Sequence, residues 1–200
     1  MIRISKALFA AATLALVAAP AAAQQLTSDG FALMEAVKKR DGDKVTNLLS
    51  KPSTTIINTR DHASGDSVLH VVTRERDLTW LRFLVGKGAR VDSENRDGNT
   101  ALSLAAQIGW AEGAEFLLSR QASANAANKR GETPLILAVL NRDVPMVRLL
   151  LARGADPRKA DSSTGYSAID YAKRDPRAAS IVKLLETPAK PAKAVSGPVL

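Results

Sequence analysis

The stretch that decides the fold is residues 99–131, which read NTALSLAAQIGWAEGAEFLLSRQASANAANKRG. The stretch that follows opens in the same way, with ETPLILA, and the stretch before it opens with DSVLHVV. One apolar position recurs at steps of 33, 33 and 34 residues, and it is occupied by Leu69, Leu102, Leu135 and Ile169. A fixed period of this length indicates a chain built from stacked repeats.

The repeat carries a recognisable motif. Residues 133–138 read TPLILA, which matches the T-P-L-H-x-A signature of ankyrin repeats except at the histidine. Residues 100–105 keep its Thr, Leu and Ala, and residues 67–70 keep its Leu and His. The second halves also recur, as LVGKGA at 84–89, LLSRQA at 117–122 and LLARGA at 150–155. On these motifs the chain resembles the ankyrin-repeat family over about residues 31–185.

The resemblance implies an all-α ankyrin-repeat solenoid of about five helix-turn-helix repeats, including degenerate caps, over residues 24–186. Two departures from the family pattern are visible. Ser103, Ile136 and Asp170 replace the signature histidine, so the hydrogen bonds at that turn are expected to differ in three repeats. Gln121 stands where the other two second halves have glycine, so that turn is expected to be strained or differently shaped.

Residues 1–23 have the pattern of a cleaved signal peptide. Arg3 and Lys6 precede an apolar run over residues 7–19, and Pro20 and three alanines follow it. The alternative is a membrane anchor, but the run is too short and too rich in alanine to span about 30 Å of hydrocarbon. The sequence therefore predicts cleavage after Ala23 in a bacterial protein, export to the periplasm or secretion beyond it, and no stable membrane anchor.

The ends of the repeat region are predicted to be irregular. Asp29 is the expected N-cap of the first helix, and residues 56–58 are expected to form an extended arm of a hairpin. Residues 187–200 are rich in Pro, Ala and Lys and are predicted to be a disordered tail.

Composition and motifs argue against an enzyme. The chain has no cysteine, which excludes disulfides and thiolate chemistry, and only two histidines, His62 and His70. Their spacing fits no zinc-binding helix motif, and phosphate-binding loops and nucleophile elbows are missing from the sequence. Trp80 and Trp110 are interpreted as packing residues rather than base-stacking residues. We expect no catalytic residues, no metal, no cofactor and no nucleic-acid partner.

The resemblance implies protein binding through the hairpin tips and the inner helices. Its variable positions fall on twelve residues of this chain: Arg74, Glu75, Glu94, Asn95, Arg96, Gln107, Ile108, Asn128, Lys129, Arg130, Leu140 and Asn141. Arg96, Lys129 and Arg130 form a basic rim that favours an acidic partner, with Ile108 and Leu140 as an apolar floor unless they pack between repeats. A monomer is expected.

The alternative function is a basic cell-envelope module that contacts anionic polymers through Lys190, Lys193 and the Arg-rich edges. The whole chain carries 28 Lys and Arg against 20 Asp and Glu. Such an excess favours acidic partners and solubility, but it does not by itself argue for nucleic acid. Salt dependence would separate the two classes, because polyanion binding by counterion release weakens steeply with salt.

Overall fold

The computed structural model describes residues 20–50 and 56–187, with the side chains of residues 20–28 excepted. Within these ranges the chain forms ten α-helices and no extended strand. They are α1 (Pro20–Lys38), α2 (Gly42–Leu49), α3 (Val68–Arg74), α4 (Leu78–Gly86), α5 (Ala101–Gln107), α6 (Ala111–Ser119), α7 (Pro134–Leu140), α8 (Val144–Ala152), α9 (Ala168–Arg174) and α10 (Ala179–Glu186). The five helix pairs confirm the all-α repeat fold predicted from the period of the sequence.

The helices stack in two rows. The odd-numbered helices form an inner row, in which each packs against the next from α1 to α9, and α4, α6, α8 and α10 form an outer row. The recurring leucines Leu69, Leu102 and Leu135 are fully buried between the rows. Ala105 and Ala138 are also fully buried. Their small side chains let neighbouring helices approach closely.

Polar caps start the helices. Asp41, Asp77 and Asp143 each accept a hydrogen bond from a backbone N–H in the first turn of α2, α4 and α8. Trp110 takes the equivalent place before α6 and makes no side-chain cap. Its indole is buried against Gly113 instead, where a Cβ atom would overlap the ring. The interpretation of Trp110 as a packing residue therefore agrees with its position.

The turn before the inner helices keeps its local capping bonds in two of the three repeats that lack the histidine, but among the described residues at the signature position only His70 also bonds the next repeat, through Nε2 to the carbonyl of Asn99. Ser67 and His70 form a reciprocal capping box, and so do Thr100 with Ser103 and Ser167 with Asp170. Serine and aspartate oxygens can replace the histidine locally because they also accept the N-cap hydrogen bond. Among α3, α5, α7 and α9, only α7 lacks the reciprocal bond, since isoleucine stands three residues after its N-cap Thr133.

The turn at Gln121 is strained but has the ordinary shape. Its φ of 66° is left-handed, as are those of Gly88 (93°) and Gly154 (84°). The N–H of Ala122 donates to the carbonyl of Leu117 at 3.0 Å, as in the two glycine turns. The helix end therefore imposes the left-handed conformation on Gln121 despite its Cβ atom.

Two predicted element boundaries are wrong. Helix α1 begins at Pro20, so Asp29 lies inside the helix, because the alanines, glutamines and leucine before it are good helix formers. Residues Ile56–Asn58 form a 3₁₀ turn rather than an extended arm, because burial of both isoleucines holds this segment against α1.

Two predictions for the termini, signal-peptide cleavage and a disordered tail, are not tested by the structure. Helix α1 crosses the predicted cleavage position after Ala23, while residues 1–19, and all but Thr187 of the predicted tail, lie outside the described ranges. Of the helices described, none combines the length and the hydrophobicity needed to cross a membrane.

Candidate functional site

Four loops project beside the inner helices and stack in a row. They span residues 61–66, 95–99, 128–132 and 161–166, and one backbone hydrogen bond of 2.9 Å joins each loop to the next. The donors are the N–H groups of Arg96, Lys129 and Ser162, and the acceptors are the carbonyls of Ser64, Asp97 and Arg130. This ladder fixes the predicted hairpin tips relative to one another, so side chains on successive tips form a preorganised surface.

Asn95 and Asn128 hold this ladder together. Both are buried, and each side-chain oxygen accepts two backbone N–H groups of its own loop. The amide nitrogen of Asn95 donates to Asp66 at 3.0 Å, and that of Asn128 donates to Asn99 at 3.2 Å. Loop architecture thus already uses the polar atoms of Asn95 and Asn128, and their contact with a partner stays a prediction.

Arg74 and Asp66 form an ion pair at this surface that involves both carboxylate oxygens. The guanidinium of Arg74 donates to both carboxylate oxygens, at 2.5 Å and 3.1 Å. Burial would raise the pKa of Asp66, but hydrogen bonds from Arg74 and Asn95 outweigh it and lower the pKa to about 2. Asp66 is therefore ionised at neutral pH and balances the charge of Arg74.

A groove of about 330 Å³ lies between the loops and the inner helices α3 and α5. It collects half of the predicted site residues. These are Arg74, Asn95, Gln107, Asn128, Lys129 and Arg130, and the remaining wall consists of Asp97, Asn99 and Leu104. The lining is rich in hydrogen-bond donors and acceptors, so the groove suits a polar segment of a partner better than an apolar one.

The other predicted residues lie around this groove with different degrees of exposure. Glu94 and Arg96 are exposed on a loop, and the guanidinium of Arg96 donates to the carbonyl of His62. Glu75 is exposed at the end of α3, where it faces Arg40.

Of the two residues predicted to form an apolar floor for a partner, only Leu140 is well exposed. Ile108 is partly buried against the core, so the packing alternative applies to much of its side chain. Leu140 is 46% exposed and is thus free to contact a partner. Asn141 donates to the carbonyl of Gln107 at 2.6 Å, which ties the end of α7 to that of α5.

The basic rim is weaker than the sequence suggested. Arg130 is paired with Glu132 at 2.6 Å, so its charge is largely balanced. Arg96 and Lys129 hold equivalent positions on consecutive tips and are both exposed. The rim charge offered to a partner therefore rests mainly on Arg96 and Lys129.

A row of arginines at the opposite ends of the inner helices was missed by the sequence interpretation. Arg40, Arg76 and Arg142 are left-handed, with φ near 55°, and each reaches into the following repeat. Arg40 approaches Glu75 and Asp77 at 3.4 Å, Arg76 donates to the carbonyl of Ile108, and Arg142 pairs with Asp175 at 3.0 Å. The signal was present as an Arg-Asp dipeptide at these three helix-pair turns and again at residues 174–175, with Gly109 and Trp110 in the corresponding place of the third pair.

The described residues offer no cluster of metal-ligating side chains. No group of three or more His, Asp or Glu side chains within residues 20–50 and 56–187 could hold a metal ion. His70 is fully buried in its capping box, with Nδ1 accepting from the N–H of Ser67 and Nε2 donating to the carbonyl of Asn99 at 2.7 Å. Burial lowers the pKa of His70, which keeps the imidazole neutral and fits a structural role.

Comparison with known proteins supports the same family at both ends of the stack. Residues 33–128 match a family profile described as ankyrin repeats (3 copies), and residues 117–172 match one described as ankyrin repeats (many copies). An ankyrin repeat-containing protein of Treponema pallidum (strain Nichols) is 38% identical over 123 residues, which cover 60% of this chain and 41% of the relative. The palmitoyltransferase ZDHHC13 of Danio rerio is 36% identical over 76 residues, which cover 38% of this chain and 12% of that protein. The chain thus spans less than half of either relative. With two profiles that together extend from residue 33 to residue 172, the chain belongs to the ankyrin-repeat family.

Proposed function

We propose that this chain is an exported, non-enzymatic scaffold that binds a partner protein in the groove between its loop tips and inner helices. Ankyrin repeats indicate a protein–protein interaction module. The observation that carries the proposal is the groove itself, which gathers six variable positions between loops fixed by the backbone ladder. A preorganised surface of this kind binds without first ordering its own loops, which favours affinity.

The proposed partner offers an acidic segment to the groove. Arg96 and Lys129 stand on consecutive tips, and Lys129 also lines the groove. Leu140 supplies an exposed apolar contact on the neighbouring inner helix. Cations around an apolar contact resemble the rim and core of a protein interface. We propose that the scaffold acts as a monomer.

The test is a charge reversal at the two tips, Arg96→Glu with Lys129→Glu. The matched control is Arg90→Glu with Arg158→Glu, which makes the same change of charge at exposed positions outside the groove. Proteins captured from a cell-envelope extract of the source bacterium are quantified by mass spectrometry, and association is then measured with each purified partner. Rim charges act mainly on the association rate, so we expect the tip variant to lose roughly tenfold or more in that rate at low salt.

Both variants must melt like the parent chain for the comparison to hold. Capture that is unchanged in the tip variant, or equally reduced in the control, would place the interface elsewhere.

Export forms the second part of the proposal. It rests on the charged start, the apolar run over residues 7–19 and the alanines before Gln24. The intact mass of the protein recovered from the periplasm should correspond to a chain that begins at Gln24. A membrane-bound species that retains Met1 would contradict cleavage.

A further inference from the structure

The outer row of helices carries an excess of cations on its exposed surface. Helices α4, α6 and α8, together with the residue that caps the C-terminus of each, contain five cations and two carboxylates. The cations are Arg82, Lys87, Arg120, Arg148 and Arg153, and all are exposed. We call this set the outer basic face.

The outer basic face differs from four other arginines of the stack in how its charges are balanced. Carboxylates pair with Arg74 and Arg130 beside the groove, and with Arg40 and Arg142 at the opposite ends of the inner helices. In the part of the chain that the structure describes, four members of the outer set form no ion pair, and Arg153 approaches only the exposed Glu115, at 3.7 Å. Most of the positive charge on the outer basic face is therefore not paired with a carboxylate.

Aromatic rings position several of these cations. The guanidinium carbons of Arg82 and Arg120 lie 5.6 Å and 5.2 Å from the centroid of the Phe116 ring, and Lys87 Nζ lies 5.6 Å from that of Phe83. A guanidinium that rests on a ring keeps its N–H groups available for another ligand. The rings therefore restrain the cations without occupying the donors that would bind an anion.

The positions of the cations point to an extended ligand. Lys87, Arg120 and Arg153 recur at steps of 33 residues, one per repeat, and neighbouring helix axes lie roughly 8–10 Å apart. The set thus follows the stack for about 20 Å, which is longer than one compact anion. Favourable interaction with helix dipoles accounts for these three cations at C-terminal caps, but it does not account for Arg82 and Arg148, which lie in the middle of α4 and α8.

We propose that the outer basic face binds a linear polyanion that carries phosphate or sulfate groups. Guanidinium groups match the geometry of phosphate and sulfate oxygens, and a chain of such groups meets one or more cations at each repeat. This site is separate from the groove and leaves the loop tips free to bind protein.

The experiment titrates the whole chain with long-chain inorganic polyphosphate over a series of salt concentrations. The test variant is Arg82→Gln with Arg120→Gln and Arg148→Gln, and the control variant is Arg96→Gln with Lys129→Gln and Arg130→Gln, which removes the same charge from the tips. For a single-stranded polyanion the logarithm of affinity changes with the logarithm of salt by about −0.7 per phosphate contact. We therefore expect the slope to fall by about 2 in the test variant and by a much smaller amount in the control.

Other outcomes would overturn the proposal. They include equal loss in both triple variants, loss caused instead by Lys190→Gln with Lys193→Gln, and binding to phosphatidylglycerol vesicles in preference to polyphosphate. A further variant, Arg82→Lys with Arg120→Lys and Arg148→Lys, keeps the charge and should retain most of the salt slope. A loss of slope in this variant would show that altered packing caused the effect. Capture of a partner protein by the groove is measured separately, so either proposal can fail alone.

Discussion

The loop ladder predicts a large difference between two glycine substitutions that look alike in sequence. Gly131 and Gly165 occupy the same place in successive loops, with φ of 79° and 73°. A Cβ atom at Gly131 would overlap the backbone nitrogen of Ser162, which donates the 2.9 Å hydrogen bond to Arg130. A Cβ atom at Gly165 would meet nothing within 4 Å among the described residues.

The expected magnitudes follow from these contacts. Alanine in a left-handed conformation costs about 1–2 kcal/mol at either position. Gly131→Ala also displaces the next loop and loses its hydrogen bond, which adds about 0.5–1.5 kcal/mol, and an unpaired N–H adds more if it stays buried. We therefore expect Gly165→Ala to lower the free energy of unfolding by about 1–2 kcal/mol, and Gly131→Ala to lower it by about 1 kcal/mol more.

The assay is urea unfolding of both variants, followed by far-UV circular dichroism. Gly98→Ala controls for position in the stack, because its Cβ would lie 2.8 Å from the backbone nitrogen of Lys129 in an interior repeat. Gly98→Ala should therefore lose more free energy of unfolding than Gly165→Ala. If all three variants lost the same free energy, the left-handed strain alone would account for the cost, and the inference that the loops press against one another would be refuted.

Three further predictions concern stability. Gln121→Gly should raise the free energy of unfolding by about 0.5–1 kcal/mol by relieving left-handed strain, whereas Ser119→Gly, inside the last turn of α6, should lower it by a similar amount; thermal melts distinguish the two signs. Leu135→Ala should cost about 2–5 kcal/mol because it opens a cavity between helix layers, whereas Ser123→Ala should change little in the same urea titration. Because burial lowers the folded-state pKa of His70, stability is full above the unfolded pKa near 6.5 and falls as the pH drops below it. Comparing the urea midpoint at pH 7.5 and pH 5 should show this fall in the parent and a smaller one in His70→Ser.

The period of the sequence predicted the helix pairs because it depends on local patterns alone. The buried leucines, the capping residues and the small alanines each act within one repeat or between adjacent ones at a fixed spacing. The predictions for the start of α1 and for residues 56–58 were wrong because the family motif does not extend to these segments. There, helix propensity and burial against α1 decide the structure.

The site was harder to predict, because its chemistry depends on contacts between repeats. The hydrogen bond from Asn95 to Asp66 crosses 29 residues, as does that from Asn128 to Asn99, and neither pairing has a local signature. Arg130 and Glu132, which form an ion pair, are only two residues apart in the sequence. Outside a regular helix or strand, however, a two-residue spacing does not predict that two side chains are in contact. The sequence therefore predicted which variable residues lie on the loop tips, but it did not predict which of these residues hold the loops together.

The third helix pair combines these features at the centre of the stack. At the other internal turns an arginine reaches into the next repeat, but here Gly109 takes its place, and the link to the next repeat comes from Asn141 to the carbonyl of Gln107. The row of arginines is thus interrupted where Gln107 lines the groove and where Leu140 is exposed. A partner that approaches this centre meets the amide of Gln107 and the apolar side chain of Leu140, with the charged side chains of Arg74, Lys129 and Arg130 around them in the groove. Charged groups at the rim and uncharged ones at the centre minimise the desolvation cost of binding, which is why we propose that the interface is centred between the second and fourth helix pairs.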